Sequence, residues 1–322
     1  MDVRKTMKVG SVSTFPGNPW DLKLPMDKMA ELSINGAIKY GLDCAQIFAL
    51  PNMPDSYYEW IRNTCEEHGI ELDIGATMSL FDLTGENGDK ARQDLLDMIV
   101  VAKKLNAKIM RRGYNGRLAY EFSRYNKEWP LEQHMQHLID NLKAAEKILA
   151  PEGIYLAIEN HCDFMGTELA EVFKTVGSEF VGCALDTGNG FTVFCDPVIE
   201  AEALAPYTIT THMKDMVIKR DSGWRVPFYP SGCALGEGHA NVEKILDILA
   251  AYVDHGGTVI LSSHGMELVE RVCSGVAVIV AGQVLAQGTV DAVRGDLTLE
   301  QRFIELAGGL GDAEGLEWLH TF

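Results

Sequence analysis

Ile158-Glu159-Asn160-His161, Leu185-Asp186-Thr187-Gly188-Asn189 and Thr211-His212-Met213-Lys214-Asp215 are the runs that decide the fold. Each closes a short apolar stretch with the length of a buried β-strand: Ile154 to Ile158, Val181 to Leu185, and Thr208 to Thr211. From Glu159 to Asp186 to His212 the steps are 27 and 26 residues, about one βα unit each. If these strands are parallel neighbours, two carboxylates and an imidazole converge at one rim of the sheet. That donor set suits a divalent metal at the C-terminal face of a (β/α)8 TIM barrel, where barrel enzymes keep their chemistry.

Strand and helix signals alternate outward from these runs. Residues 8–13 read as a first strand, 26–40 as an amphipathic helix stopped by Gly41, and 43–48 as a second strand. A helix over 55–68 stopped by Gly69, a strand over 71–75, a helix over 88–105 and a strand over 108–111 follow. The helix over 131–149 carries Leu138, Leu142, Ala145 and Leu149 on one stripe. Beyond the ligand-bearing strands, a loop rich in Gly and Pro leads to a seventh helix over 242–252. Such alternation predicts a parallel sheet wrapped by helices, an α/β barrel over 1–275 with an appendage over 276–322.

Composition bounds the function. With 322 residues, 47% apolar and 23% charged, the chain has ordinary globular content and room for one barrel plus an appendage. A net charge of −18 argues against a nucleic-acid partner, because phosphate backbones are bound by clustered Lys and Arg. The seven cysteines (44, 65, 162, 183, 195, 233, 273) never form a Cys-x-x-Cys pair, so reduced thiols in a cytoplasmic protein are expected. Neither a signal peptide nor a stretch long enough to span a membrane is read from the sequence.

Period-two alternation sorts the rim residues. If Glu159 faces the barrel mouth, so do Tyr155, Ala157 and His161, while Asn160 faces the helices. If His212 faces in, so do Thr208, Thr210 and Lys214, and Asp215 faces away. The small Ala157, Ala184 and Thr210 below the candidate ligands fit a barrel interior. His161 is a candidate general base or a rim hydrogen-bonder, and Glu159 is a catalytic candidate as well as a ligand, since a carboxylate or an imidazole at the rim takes the proton. Lys214 is a candidate for stabilising an enolate oxygen, or a partner of Glu237. Asn189 is a candidate for binding a substrate hydroxyl, and Arg112 for a substrate oxygen.

The words AIENH (157–161), ALDTGN (184–189), APYTITTHMKD (205–215) and LGEGHANVEKIL (235–246) resemble the xylose isomerase-like superfamily of sugar-phosphate isomerases and epimerases, over residues 8 to about 250. Its members include tagatose 3-epimerases, inosose dehydratases and hydroxypyruvate isomerases. The resemblance implies a TIM barrel with one Mn²⁺ ion, or Zn²⁺, Co²⁺ or Mg²⁺, held by Glu, Asp, His and a last Glu. The first three map to Glu159, Asp186 and His212. The fourth departs: the expected strand eight, 258–262, runs into Ser263 and His264, with no glutamate before Glu267. His264 is either that ligand or a solvated loop histidine.

Residues 255–309 resemble the tail of an ABC-transporter ATPase, read as a strand ending in a histidine, a helix, a β-hairpin and a closing helix. No Gly-x-x-x-x-Gly-Lys-Ser/Thr phosphate loop occurs in the chain, so ATP hydrolysis has no seat. Read as a graft, the segment lends the barrel its eighth strand and helix, and its end is expected to serve solubility or assembly rather than chemistry. The functional expectation is metal-assisted proton abstraction beside a carbonyl of a sugar or keto-sugar, giving isomerisation or epimerisation. Two alternatives stand beside it. One is the large subunit of a C-glycoside deglycosidase, a lyase working with a small partner subunit. The other is an inactive carbohydrate-binding scaffold. Homo- or hetero-oligomers are expected.

Overall fold

The chain is described by a computed structural model over residues 8, 10–12, 25–76, 82–114, 127, 129–220, 228–253, 270, 275–280 and 283–308. Seven parallel strands pair in sequence order: β1 (Gly10–Val12), β2 (Cys44–Phe48), β3 (Glu71–Gly75), β4 (Ile109–Gly113), β5 (Tyr155–Glu159), β6 (Val181–Asp186) and β7 (Thr208–His212). Between them run α1 (Met26–Tyr40), α2 (Asp55–His68), α3 (Gly88–Leu105), α4 (Leu131–Leu149), α5 (Gly166–Val176) and α6 (Pro197–Leu204), and α7 (Val242–Val253) follows β7. The strand-helix alternation therefore becomes a TIM-barrel wall. The strand expected over 258–262 and His264 lie outside the described residues, as does the expected helix over 267–272 except for residue 270.

Period-two alternation builds two different layers. Leu72, Ile74, Met110, Leu156, Ile158, Cys183 and Leu185 join the continuous core between sheet and helices. Ala157 and Ala184 are as deeply buried but lie outside that core, as side chains lining the barrel interior should. Two hydrogen bonds span the interior. Thr210 Oγ1 on β7 donates to Asp73 Oδ2 on β3 at 2.6 Å, and His212 on β7 lies 2.9 Å from Gln46 on β2. Only a strongly curled sheet brings its seventh strand that close to its second and third. Gly182 matters at the β6–β7 seam, where a Cβ would run into the Tyr207 carbonyl; the ladder shifts register one residue later.

The segment expected as a loop between His212 and α7 contains an antiparallel hairpin, β8 (Asp215–Arg220) with β9 (Phe228–Cys233). Pro230 and Gly232 inside β9 are turn signals in the sequence, yet an isolated edge strand tolerates both. Asp215 anchors this hairpin. Its buried carboxylate accepts from the backbone N–H groups of Met216 (2.8 Å), Gly236 (3.0 Å), Gly238 (2.9 Å) and Ala240 (3.1 Å). That pulls the turn before α7 back onto the end of β7.

The appendage consists of an antiparallel hairpin, β10 (Gly275–Val280) with β11 (Gln283–Thr289), then α8 (Val290–Arg294) and α9 (Leu299–Gly308). These are the hairpin and closing helix expected from sequence. They do not stand apart from the barrel. Val278, Val290, Val293, Leu299 and Phe303 share one buried cluster with Ala240, Val242 and Leu246, and Phe191, Met213 and Leu235 pack against it. No helix among the described residues is long and apolar enough to cross a membrane.

Candidate metal centre

Strand register carries the three candidate ligands to one place. Glu159 pairs with Ala184, and Asp186 pairs with His212, so all three side chains leave adjacent strands at the same rim. Thr187 locks the β6 and β7 ends together. Its hydroxyl donates to the Lys214 carbonyl (2.6 Å) and accepts the Lys214 N–H (2.8 Å), while its own N–H reaches the His212 carbonyl at 3.1 Å.

Glu159, Asp186 and His212 are all buried, and their ligand atoms lie within 4.8 Å of one another. His212 Nδ1 is 3.5 Å from Glu159 Oε1 and 3.8 Å from Asp186 Oδ2. Donors about 2.1 Å from a common divalent ion at tetrahedral angles sit ~3.4 Å apart. The spacing therefore fits ligands aimed at one ion.

Which imidazole nitrogen faces the ion follows from Gln46. The Gln46 Oε1 atom only accepts, so His212 Nε2 carries the proton and donates to it at 2.9 Å. His212 Nδ1 is then the nitrogen turned toward both carboxylates and left to face an ion. Gln46→Leu should release that tautomer and weaken metal binding by ~10-fold, on the scale of lost outer-shell hydrogen bonds. Chelator competition measures it; parental affinity would show that Gln46 does not orient the ring.

Charge around the site is balanced by two cations. Arg111 pairs with Glu159 Oε2, and Lys214 Nζ lies 2.6 Å from Asp186 Oδ2. This oxygen is fully buried, with the Lys214 ammonium as its charged neighbour. Asp186 Oδ1, in contrast, accepts from the Gly188 N–H at 3.0 Å. Burial pushes the Asp186 carboxyl up, and Lys214 pulls against it without prevailing. Burial also opposes ionisation of Glu159. There the hydrogen bond and charge of His212, with Arg111 and His161, win and pull the carboxyl down to about 2. Two buried carboxylates and an imidazole nitrogen together form a donor set suited to a divalent cation.

The remaining sequence candidates fall around this centre. Asn189 donates to Glu159 Oε1 at 3.4 Å and to the Asn160 carbonyl at 3.0 Å, and its Oδ1 lies 3.4 Å from Lys214 Nζ. Lys214 thus pairs with Asp186. His161 follows β5 at the rim, and its buried Nδ1 has no hydrogen-bond partner. A hydrogen bond with Cys162 outweighs burial there and raises the imidazole, while the Cys162 thiol is lowered in turn. Arg112 reaches the Ala76 carbonyl at 3.3 Å, and burial with the neighbouring Arg111 lowers its guanidinium. Arg111, one residue earlier, is the arginine that touches a candidate ligand. Gln46, Arg111 and Asp73 were not visible from sequence as site groups. The only signal was a polar residue at an inward position of an otherwise apolar strand, as in Cys44-Ala-Gln46-Ile-Phe48.

The profile of the xylose isomerase-like TIM barrel family matches residues 35–261, well over half of the chain. The chain belongs to this family. Among solved structures, a family barrel from Mycobacterium smegmatis in complex with magnesium is 19% identical and superposes with a TM-score of 0.56, covering 82% of this chain and 92% of that one. A D-tagatose 3-epimerase-like protein gives 16% identity, a TM-score of 0.57, and coverage of 82% and 94%. The IOLI protein with a bound zinc atom gives 14%, 0.57, and coverage of 95% and 100%. At these identities the likeness establishes the shared fold. No curated protein sequence matches the chain.

Proposed function

We propose that this family barrel is a divalent-metal-dependent enzyme that moves a proton beside the carbonyl of a sugar or keto-sugar, acting as an isomerase or epimerase. One observation carries the reading: Glu159, Asp186 and Nδ1 of His212 converge at the C-terminal rim. Mn²⁺ is the proposed ion, with Zn²⁺, Co²⁺ and Mg²⁺ as alternatives. The magnesium and zinc in two structures of the same fold support a metal without choosing among them.

When bound, the ion supplies Lewis-acid polarisation of the carbonyl and its neighbouring hydroxyl. The chain's own groups divide the other tasks. Glu159, held ionised by His212 and Arg111, is suited to hold charge rather than to carry a proton. His161, with an unpartnered Nδ1 at the rim, is placed to take or return the substrate proton. Lys214 and Asn189 share one edge of the site, where an ammonium stabilises a developing enediolate oxygen and an amide orients a hydroxyl.

Incubating Mn²⁺-loaded protein with a panel of ketohexoses and 3-keto sugars in D₂O tests this reading. Deuterium should enter the carbon beside the carbonyl of at least one of them, as followed by NMR, and His161→Ala should slow entry by ~100-fold or more. No exchange into any of them would leave a carbohydrate-binding scaffold as the better account.

A second reading, lyase-type cleavage of a 3-keto C-glycoside with a small partner subunit, is favoured by the rim. Phe194, at φ 58° and 81% exposed, meets Phe228 of the hairpin in an edge-to-face pair at 6.3 Å. A bulky residue held at positive φ with its ring in solvent is costly, and a substrate ring or a partner surface would repay it. Release of an aglycone from a 3-keto C-glycoside, absent with free ketohexoses, would select this reading.

A further inference from the structure

Glu200 is an acidic side chain buried beside the metal centre without belonging to it. It sits on α6, on the helix side of the sheet, and is 1% exposed. Its Oε1 accepts from the Gly166 N–H at 3.0 Å, at the start of α5, and its Oε2 from Asn160 Nδ2 at 3.3 Å. The chain makes room for it at two glycines. A Cβ on Gly166 would lie 2.7 Å from Glu200 Cα, and one on Gly190 would collide with Glu200 Oε2. Burial pushes the carboxyl up to about 7; its two hydrogen bonds oppose this and Asp186 adds to it. A carboxylate kept at such a cost invites a function.

Asn160 supplies one. Its Oδ1 accepts the Asp186 N–H at 2.6 Å, and its Nδ2 donates to the Asp186 carbonyl at 2.9 Å. The amide thus grips the backbone of a ligand residue on the neighbouring strand, and the grip works in only one orientation. Turned over, the amide would set N–H against N–H and oxygen against oxygen. Both Glu200 oxygens accept, one from the Gly166 N–H and the other from Asn160 Nδ2, which keeps the Asn160 NH₂ turned toward it. We infer that Glu200 is a positioning residue for Asp186, acting by fixing the orientation of the Asn160 amide; this rests on the metal reading above.

Glu200→Gln preserves the shape but adds an NH₂ that must face one of two donors, Gly166 N–H or Asn160 Nδ2. In chelator competition with Mn²⁺ as probe, the folded variant should bind ~10-fold more weakly than the parent. Asn160→Ala should lose at least as much, and adding Glu200→Gln to it should cost nothing further, because the route to Asp186 is already cut. Parental affinity in Glu200→Gln, or losses that multiply in the double variant, would overturn the inference. If Glu200→Gln fails to fold, Asn160→Ala decides alone, and unchanged Mn²⁺ affinity there overturns it. A parent chain that binds no Mn²⁺ fails the metal reading itself; a parent that binds, with flat variants, fails this inference only.

Discussion

Asp186→Ala should strip the site of its metal while leaving the protein folded. Losing an outer-shell hydrogen bond costs a metal site ~10- to 100-fold in affinity, so losing a charged ligand should cost more than ~100-fold. The fold should survive because Asp186 is an expense in the protein without its ion. Its carboxylate is fully buried, lies within 4.8 Å of the Glu159 carboxylate, and is pushed up by burial despite Lys214. Removing it deletes a desolvated charge and frees Lys214, which is half-exposed and regains water easily. In chelator-treated samples the variant's Tm should therefore stay within about 3 °C of the parent or rise, since ~1 kcal/mol moves a chain of this class by a few degrees. Elemental analysis and thermal unfolding read the two arms. Parental metal content in the variant would place the ion elsewhere, and a Tm lowered by 10 °C would show that the carboxylate stabilises the fold.

The convergence of the three candidate ligands was legible in the sequence for a specific physical reason. Strand ends are the one place where a local pattern, an apolar run closed by a polar residue, also fixes a global position. Glu159, Asp186 and His212 each occupy such an end, and the repeat of one βα unit sets them side by side. Cross-barrel partners have no such signature. Gln46 and His212 are 166 positions apart, and Thr210 and Asp73 are 137 apart, so their contacts exist only once the sheet has curled. The sequence reading ends β4 at residue 111 and names Arg112 alone as the candidate arginine. The strand runs to Gly113 and turns Arg111 toward Glu159. Glu200 was hidden differently. In Pro197-Val-Ile-Glu-Ala-Glu-Ala-Leu204 it reads as the polar face of a short helix, and only the glycines at 166 and 190 permit the burial.

Ending the chain at residue 274 should cost the barrel its fold as well as its assembly, a larger effect than the sequence suggested for an appendage. Val278, Val290, Val293, Leu299 and Phe303 are buried in one cluster with Ala240, Val242 and Leu246. Each fully buried side chain of this kind is worth ~1.5–3 kcal/mol. Five of them approach the whole net stability of an ordinary domain, about 5–15 kcal/mol. Truncation would also bare the face of α7 that the tail covers, and an apolar face newly open to water invites aggregation. The damage would reach the metal centre by a short path. Met213, packed against the tail cluster, stands between His212 and Lys214, and Phe191 lies two residues past Asn189. The truncated chain is therefore expected to be insoluble, or to stay soluble with weakened metal binding. A milder variant separates stability from chemistry. Phe303→Ala leaves a cavity worth ~3–5 kcal/mol and should lower Tm by roughly 6–15 °C, with metal affinity largely kept below the transition. A soluble chain of residues 1–274 with parental Tm and Mn²⁺ affinity would show that the tail is a passenger, and that Leu246 and Met213 are held by the barrel alone.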